Sequence, residues 1–178
     1  MEAIVVSGRP RWRQVLPNAV TALRLIAVPI VLALLIRELP THAIAVYAAM
    51  VLSDVLDGWV ARRVGGETRF GAYFDALTDM VVLLSLLGYL AWSGVLPVWT
   101  PILPAITAAA FLVSSRRTGP RYDPIGKHYS AVLYVVTGVL LVIPNAAATL
   151  GASILILVLT AASLVSRAIC LSGTPEGS

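Results

Sequence analysis

The chain has 178 residues, of which 58% are hydrophobic and only 12% are charged, and its mean hydropathy is +0.88. This composition excludes an ordinary soluble domain and predicts an all-α integral membrane protein. The net charge of +4 and the pI near 9.6 fit membrane topology and anionic lipid, so no nucleic-acid partner is expected.

Six apolar runs of membrane-spanning length follow one another along the chain. Turn formers separate them, for example Glu38-Leu39-Pro40 and Pro144-Asn145. The first run has no small-residue cleavage site and is expected to be a retained helix. We therefore predict one membrane domain over residues 1–178, a bundle of six transmembrane helices at 18–36, 41–61, 70–92, 98–115, 130–147 and 149–170.

Residues 9–16, which place three arginines around Trp12, are predicted to form a short interfacial segment before the first span. A simple positively charged anchor is an equal alternative. If the amino terminus lies in the cytoplasm, Arg37 is the one basic residue on the opposite side of the membrane, and Arg24 lies within the first span. This asymmetry predicts cytoplasmic termini in a prokaryotic-type inner or plasma membrane. The basic residues then on the cytoplasmic side are Arg9, Arg11, Arg13, Arg62, Arg63, Arg69, Arg116, Arg117, Arg121, Lys127 and Arg167.

Four of the five aspartates lie close together in this apolar chain. Asp54 and Asp57 are three residues apart and Asp75 and Asp79 are four apart, so each pair shares one helical face. Clustered carboxylates repel one another and are costly at membrane depth unless they bind a cation. Oxygen ligands suit Mg²⁺ or Mn²⁺. Zinc is not indicated, because no His or Cys lies near these aspartates in the sequence. The pattern predicts two divalent cations, bound by carboxylates from two helices, that hold a phosphate group.

These aspartates belong to the pattern D-x2-D-G-x2-A-R-x8-G-x3-D-x3-D, which residues 54–79 match at all eight fixed positions. In this the chain resembles the CDP-alcohol phosphotransferases. The resemblance implies transfer of a phosphatidyl-type group from CDP-diacylglycerol to an alcohol, with release of CMP. It also implies that Asp54 and Asp75 bridge both metals, that Asp57 and Asp79 complete one each, and that Asp79 is the general base.

The resemblance assigns further positions around the aspartates to binding of the CDP-lipid. Arg62 offers a forked donor set for phosphate. For Gly58 and Ala61 taken alone, close helix packing is the preferred explanation. Asn18 is alternatively a helix cap behind Pro17. The full set is Asn18, Thr21, Gly58, Ala61, Arg62, Thr68 and Gly71.

Basic residues between the fourth and fifth spans predict an acceptor that carries its own phosphate. The tentative acceptor-binding residues are Arg116, Arg117, Lys127 and Arg167. Gly126–Ser130 resembles, imperfectly, the G-K-x-K-T segment of phosphatidylglycerophosphate synthases, with Tyr129 at the second lysine. Because of the basic cluster, glycerol 3-phosphate is the expected acceptor, with inositol phosphate and phosphatidylglycerol as alternatives. The resemblance also implies a homodimer.

Two other classes of protein place aspartates within membrane helices. Membrane prenyltransferases use N-D-x-x-D or D-D-x-x-D patterns, and the D-G-x2-A-R continuation argues against them. An ion or proton transporter could use four carboxylates as a relay. Six spans without an evident inverted repeat, and carboxylates near one membrane surface, make the transporter a minor alternative.

Overall fold

The computed structural model describes the backbone of residues 12–64, 69–118 and 126–172, and the side chains of residues 23–56, 73–114 and 128–170. All regular structure in these residues is helical, which confirms the predicted all-α class. The helices are α1 (Trp12–Ile36), α2 (Pro40–Val64), α3 (Arg69–Trp92), α4 (Ile102–Thr118), α5 (Gly126–Val142) and α6 (Ala146–Ser172).

The first helix is longer than predicted at its amino-terminal end. Because α1 begins at Trp12, residues 12–16 belong to it and do not form a separate interfacial segment, while residues 1–11 lie outside the described part. Asn18 lies well inside α1 and is therefore not a helix cap. The turn after Ile36 is closed by bonds from the amide of Glu38 to the carbonyl of Leu35 (3.1 Å) and from the amide of Leu39 to that of Leu34 (2.9 Å).

The two helices that carry the aspartates have nearly the predicted limits. α2 runs from Pro40 to Val64 and α3 from Arg69 to Trp92, where the sequence predicted spans over 41–61 and 70–92. Gly65-Gly66, the predicted turn between them, lies outside the described residues. Since short connections join consecutive helices, α2 and α3 run antiparallel and their aspartates lie at the same end of the bundle.

The limits predicted for the fourth and fifth helices were wrong by several residues. Residues 98–101 form turns because Pro97 and Pro101 have no amide hydrogen to continue a helix, so α4 begins at Ile102. α5 starts at Gly126 and already ends at Val142, because Pro144 disfavours helical geometry in the residue before it. Asn145 then caps α6, as its Oδ1 accepts from the amide of Ala148 at 2.8 Å.

Two helical segments among the described residues are long and apolar enough to cross a membrane, Tyr73–Trp92 and Ala146–Cys170. α1 and α2 have 25 residues each, and α4 and α5 have 17. A helix of 17 residues is about 25 Å long, close to the lower limit for spanning the hydrocarbon layer. Six complete spans therefore remain a prediction.

The helices pack with an apolar core and also with an apolar outer surface. α1 packs against α2 and α3, α5 lies against α2, α3 and α6, and α4 contacts α3 and α6. Large aliphatic side chains such as Ile26, Leu52 and Val158 are exposed, which suits contact with lipid. Hydroxyl-bearing residues, including Thr78, Thr137 and Ser153, are buried between helices, as in membrane bundles. The largest fully buried apolar side chains are Val31, Val82, Leu86, Leu87, Leu133, Leu140 and Ile156.

Candidate functional site

Three of the four signature aspartates meet at one buried arginine of the first helix. The Nη2 atom of Arg24 lies 2.8 Å from Oδ1 of Asp54 and also donates to Oδ1 of Asp75. The Nη1 atom of Arg24 donates to Oδ1 of Asp79. The carboxylates of α2 and α3 are thus brought together around a single guanidinium from α1.

The exposure of these groups defines an inner and an outer part of the site. The Arg24 side chain is 4% exposed and that of Asp79 is 16% exposed, whereas Asp54 and Asp75 are 36% and 48% exposed. A buried arginine in an apolar helix is costly unless it is paired, so these carboxylates explain how α1 tolerates it. Asp54 and Asp75 form the open side of the site, from which a ligand could approach.

Asp79 is also held by a tyrosine from the fifth helix. The hydroxyl of Tyr134 donates to Oδ1 of Asp79 at 3.0 Å. Arg24 donates to the same oxygen. The other oxygen of this carboxylate, Oδ2, has no hydrogen-bond partner among the described residues. One oxygen of this carboxylate is fixed while the other can take part in chemistry.

A second tyrosine supports the first from behind. The hydroxyl of Tyr47 on α2 donates to the main-chain carbonyl of Tyr134 at 2.5 Å. Gly138, one turn further along α5, lets that ring approach closely, since a Cβ atom there would lie 3.1 Å from Cε1 of Tyr47. Tyr47 therefore fixes the stretch of α5 that presents Tyr134 to Asp79.

The chemistry of the donor set fits a hard divalent cation. Asp54, Asp75 and Asp79 offer oxygen ligands from two helices. Among the described side chains of the site, three carboxylates face one guanidinium, so negative charge is in excess there. As they stand, the described side chains contain no group of three or more His, Cys, Asp or Glu residues with metal-site geometry. Arg24 lies among the carboxylates, and the side chain of Asp57 is outside the described residues.

A family model described as CDP-alcohol phosphatidyltransferase matches residues 14–166, which include the whole aspartate site. The chain belongs to this family. It is therefore a CDP-alcohol phosphatidyltransferase family enzyme of phospholipid biosynthesis, in a family of integral membrane proteins. Family membership excludes the prenyltransferase and transporter alternatives.

Similar proteins in the family have names that specify different products or acceptors. A "Probable phosphatidylglycerophosphate synthase" of Mycobacterium tuberculosis is 31% identical over 193 residues, covering 94% of this chain and 91% of that protein. A "Cardiolipin synthase (CMP-forming)" of Streptomyces coelicolor is 33% identical over 63% of this chain and 58% of that protein. A "CDP-diacylglycerol--serine O-phosphatidyltransferase" of Mycobacterium leprae is 38% identical over 43% and 27%. No solved structure significantly matches the chain.

All seven residues expected to bind the CDP-lipid lie where side chains are not described. The backbone places Asn18 and Thr21 in α1, on the amino-terminal side of the buried Arg24. Thr68 lies entirely outside the described residues. The other members of this set without described side chains are Gly58, Ala61, Arg62 and Gly71.

Arg167 is the tentative acceptor residue whose surroundings are described. Its Nη1 donates to Oγ of Ser114 at 2.6 Å, and its guanidinium lies 5.2 Å from the ring centroid of Phe111. Phe111 in turn contacts Tyr73, and their ring centroids are 6.2 Å apart. Tyr73 lies on α3, two residues before Asp75. The side chains of Arg116, Arg117 and Lys127 are outside the described residues.

Sequence reasoning missed the roles of Arg24 and Tyr134 in this CDP-alcohol phosphatidyltransferase site. The signal for Arg24 was available, because an arginine deep within an apolar helix needs acidic partners and the chain has only nine Asp and Glu residues. Tyr134 gave no such signal, since a tyrosine in an apolar helix is ordinary. Its contact with Asp79 joins residues 55 positions apart.

Proposed function

We propose that this family member transfers a phosphatidyl group from CDP-diacylglycerol to glycerol 3-phosphate, releasing CMP. The observation that carries the proposal is the convergence of Asp54, Asp75 and Asp79, from the two halves of the signature, in one site. Asp79 is proposed as the catalytic residue.

Four aspartates would hold the divalent cations of the site. Asp54, Asp57, Asp75 and Asp79 are the proposed ligands, and two Mg²⁺ or Mn²⁺ ions would supply charge neutralisation for a diphosphate. Oxygen donors and an excess of negative charge support this assignment. The positive charge of Arg24 lies beside the same carboxylates and could also help to neutralise the diphosphate.

Asp79 is suited to remove the proton from the acceptor hydroxyl. Its Oδ1 is fixed by Tyr134 and Arg24, so its orientation is set, and Oδ2 can accept a proton. The acceptor oxygen then attacks the β-phosphorus of CDP-diacylglycerol, a new P–O bond forms, and the bond to CMP breaks. No covalent enzyme intermediate is needed.

Glycerol 3-phosphate is preferred as acceptor on two grounds. The relative that covers most of the chain among those described above carries a phosphatidylglycerophosphate synthase name. The last turn of α4, after Ser114, contains Arg116 and Arg117, and the first turn of α5 contains Lys127. Arg167 of α6 donates a hydrogen bond to Ser114. Cations at this end of the bundle suit an acceptor with a phosphate group.

The proposed enzyme spans the membrane six times, with the aspartate site and both termini toward the cytoplasm. The distribution of Arg and Lys supports this orientation. CDP-diacylglycerol would then enter from the inner leaflet and the water-soluble acceptor from the cytoplasm. A homodimer remains a prediction from the family resemblance.

Release of CMP by detergent-purified protein tests the function. CDP-diacylglycerol would be supplied with glycerol 3-phosphate, glycerol, inositol phosphate, serine or phosphatidylglycerol, each in the presence of Mg²⁺, Mn²⁺ or excess chelator. We expect metal-dependent CMP release with glycerol 3-phosphate above the other alcohols. Activity that survives the chelator would contradict the metal assignment, and preference for phosphatidylglycerol would indicate a cardiolipin synthase.

A further inference from the structure

Arg24 links three helices through the oxygens that a cation would need. It extends from α1 and pairs with Asp54 of α2 and with Asp75 and Asp79 of α3. Without a positive charge between them, three carboxylates at this depth would repel one another and separate the two helices. The guanidinium therefore has a structural effect at the centre of the site.

We propose that Arg24 is a positioning residue that acts as an internal counter-cation. It holds the carboxylates of α2 and α3 together when no divalent cation is bound, and it competes with that cation for their oxygens. This inference rests on the proposed metal-binding function of the aspartates.

The competition follows from which atoms are used. Arg24 contacts Oδ1 of each of the three aspartates, and a divalent cation would require oxygens of the same carboxylates. A guanidinium and a metal ion repel each other, and both would draw on the negative charge of the same three carboxylates. Cation binding must therefore weaken at least some of the contacts of Arg24.

The balance of charge and hydrogen bonds makes such an exchange feasible. Three carboxylates around one guanidinium leave the described part of the site negative, so a cation is still attracted when Arg24 is in place. The Nε atom of Arg24 is buried without a hydrogen-bond partner among the described residues. The arginine is thus held through its terminal nitrogens only, and these are the contacts that a cation would replace.

Cation binding and thermal unfolding, measured without any lipid substrate, test the inference. The full chain and its variants Arg24→Gln, Arg24→Lys and Arg37→Gln would be purified in detergent. Mn²⁺ binding would be followed by the electron paramagnetic resonance signal of free Mn²⁺, and unfolding by the fluorescence of the four tryptophans. Arg37 is the matched control, because it is exposed beyond the other end of α1.

In chelator, we expect Arg24→Gln to unfold several degrees below the unsubstituted chain, because the carboxylates lose their counter-cation. We expect the same variant to bind Mn²⁺ at least about threefold more tightly, in the range of couplings between contacting groups. Its Tm should therefore rise more on Mn²⁺ addition than that of the unsubstituted chain. Arg37→Gln should match the unsubstituted chain in all three measurements.

Arg24→Lys keeps the test decisive if Arg24→Gln does not fold. An ammonium carries the charge but lacks the fork that spans several carboxylates, so this variant should fold and bind Mn²⁺ with an affinity above that of the unsubstituted chain. Equal or weaker Mn²⁺ affinity in the Arg24 variants would overturn the inference, as would unchanged Tm in chelator or an unsubstituted chain that binds no Mn²⁺. The CMP-release assay of the unsubstituted chain tests the proposed function separately, since it does not depend on any Arg24 variant.

Discussion

Tyr134 and Asp79 are joined by a hydrogen bond of 3.0 Å between the tyrosine hydroxyl and Oδ1 of the carboxylate. The bond connects α5 to α3 and leaves Oδ2 without a hydrogen-bond partner among the described residues. A proposed general base that is fixed on one side and available on the other has a defined direction for accepting a proton. This relationship gives direct tests of the mechanism.

Replacing Tyr134 by Phe should lower kcat about 10- to 100-fold, the range for losing a hydrogen bond to a charged group, and change the KM values little. Tyr129→Phe is the matched control on the same helix, because its hydroxyl bonds Thr160 at 2.8 Å and does not contact Asp79. Steady-state CMP release measures both variants. Equal losses in the two variants would mean that Tyr134 acts only through general stability.

Asp79→Asn should keep CDP-diacylglycerol binding but lower turnover by at least the ~10² to 10⁴ typical of losing a general base. Asp54→Asn and Asp75→Asn should instead also lose affinity for Mn²⁺, measured by titration of the purified protein. Glu38→Gln, an exposed carboxylate in the turn after α1, is the control and should retain normal turnover. Near-normal turnover with unchanged metal dependence in Asp79→Asn would remove that residue from the role of base.

Gly138→Ala should lower both Tm and turnover. The new Cβ atom would lie 3.1 Å from Cε1 of Tyr47, and that ring cannot move freely because it is buried and its hydroxyl is bonded to the carbonyl of Tyr134. Gly88→Ala is the matched control, since a Cβ at Gly88 meets nothing within 4 Å. Alanine there should leave turnover unchanged and maintain or raise Tm through its helix propensity. A Tm of Gly138→Ala as high as that of Gly88→Ala would contradict the tight packing at Tyr47.

Lys127→Ala or Arg116→Ala should raise the KM for glycerol 3-phosphate about 10-fold or more, because each removes a charge-assisted contact to phosphate. The KM for CDP-diacylglycerol should stay nearly constant. Arg37→Ala, which removes an exposed cation from the opposite end of the bundle, should change neither value. If the alanine variants alter only the KM of the lipid, these cations serve the nucleotide or the membrane topology and not the acceptor.

Local sequence determined the helices and the faces on which the aspartates lie. Apolar runs bounded by Pro and Gly gave the limits of α2 and α3 within a few residues, because helix formation depends mainly on neighbours in the chain. The errors at α4 and α5 arose where hydropathy was followed across prolines. Pro101 and Pro144 limit the helices through their missing amide hydrogen and their effect on the preceding residue, whatever the hydropathy.

Only the tertiary structure decided which side chains meet. The spacing of Asp75 and Asp79 fixes a common face of α3, but periodicity within one helix does not determine which neighbour that face contacts. Arg24 reaches these residues from positions 51 and 55 earlier in the chain, and Tyr134 reaches Asp79 from 55 later. Such contacts depend on the order and rotation of packed helices, which are set by the fit of many side chains together. The sequence by itself thus determined the chemistry available, and the packing of α1, α3 and α5 decided how it is arranged.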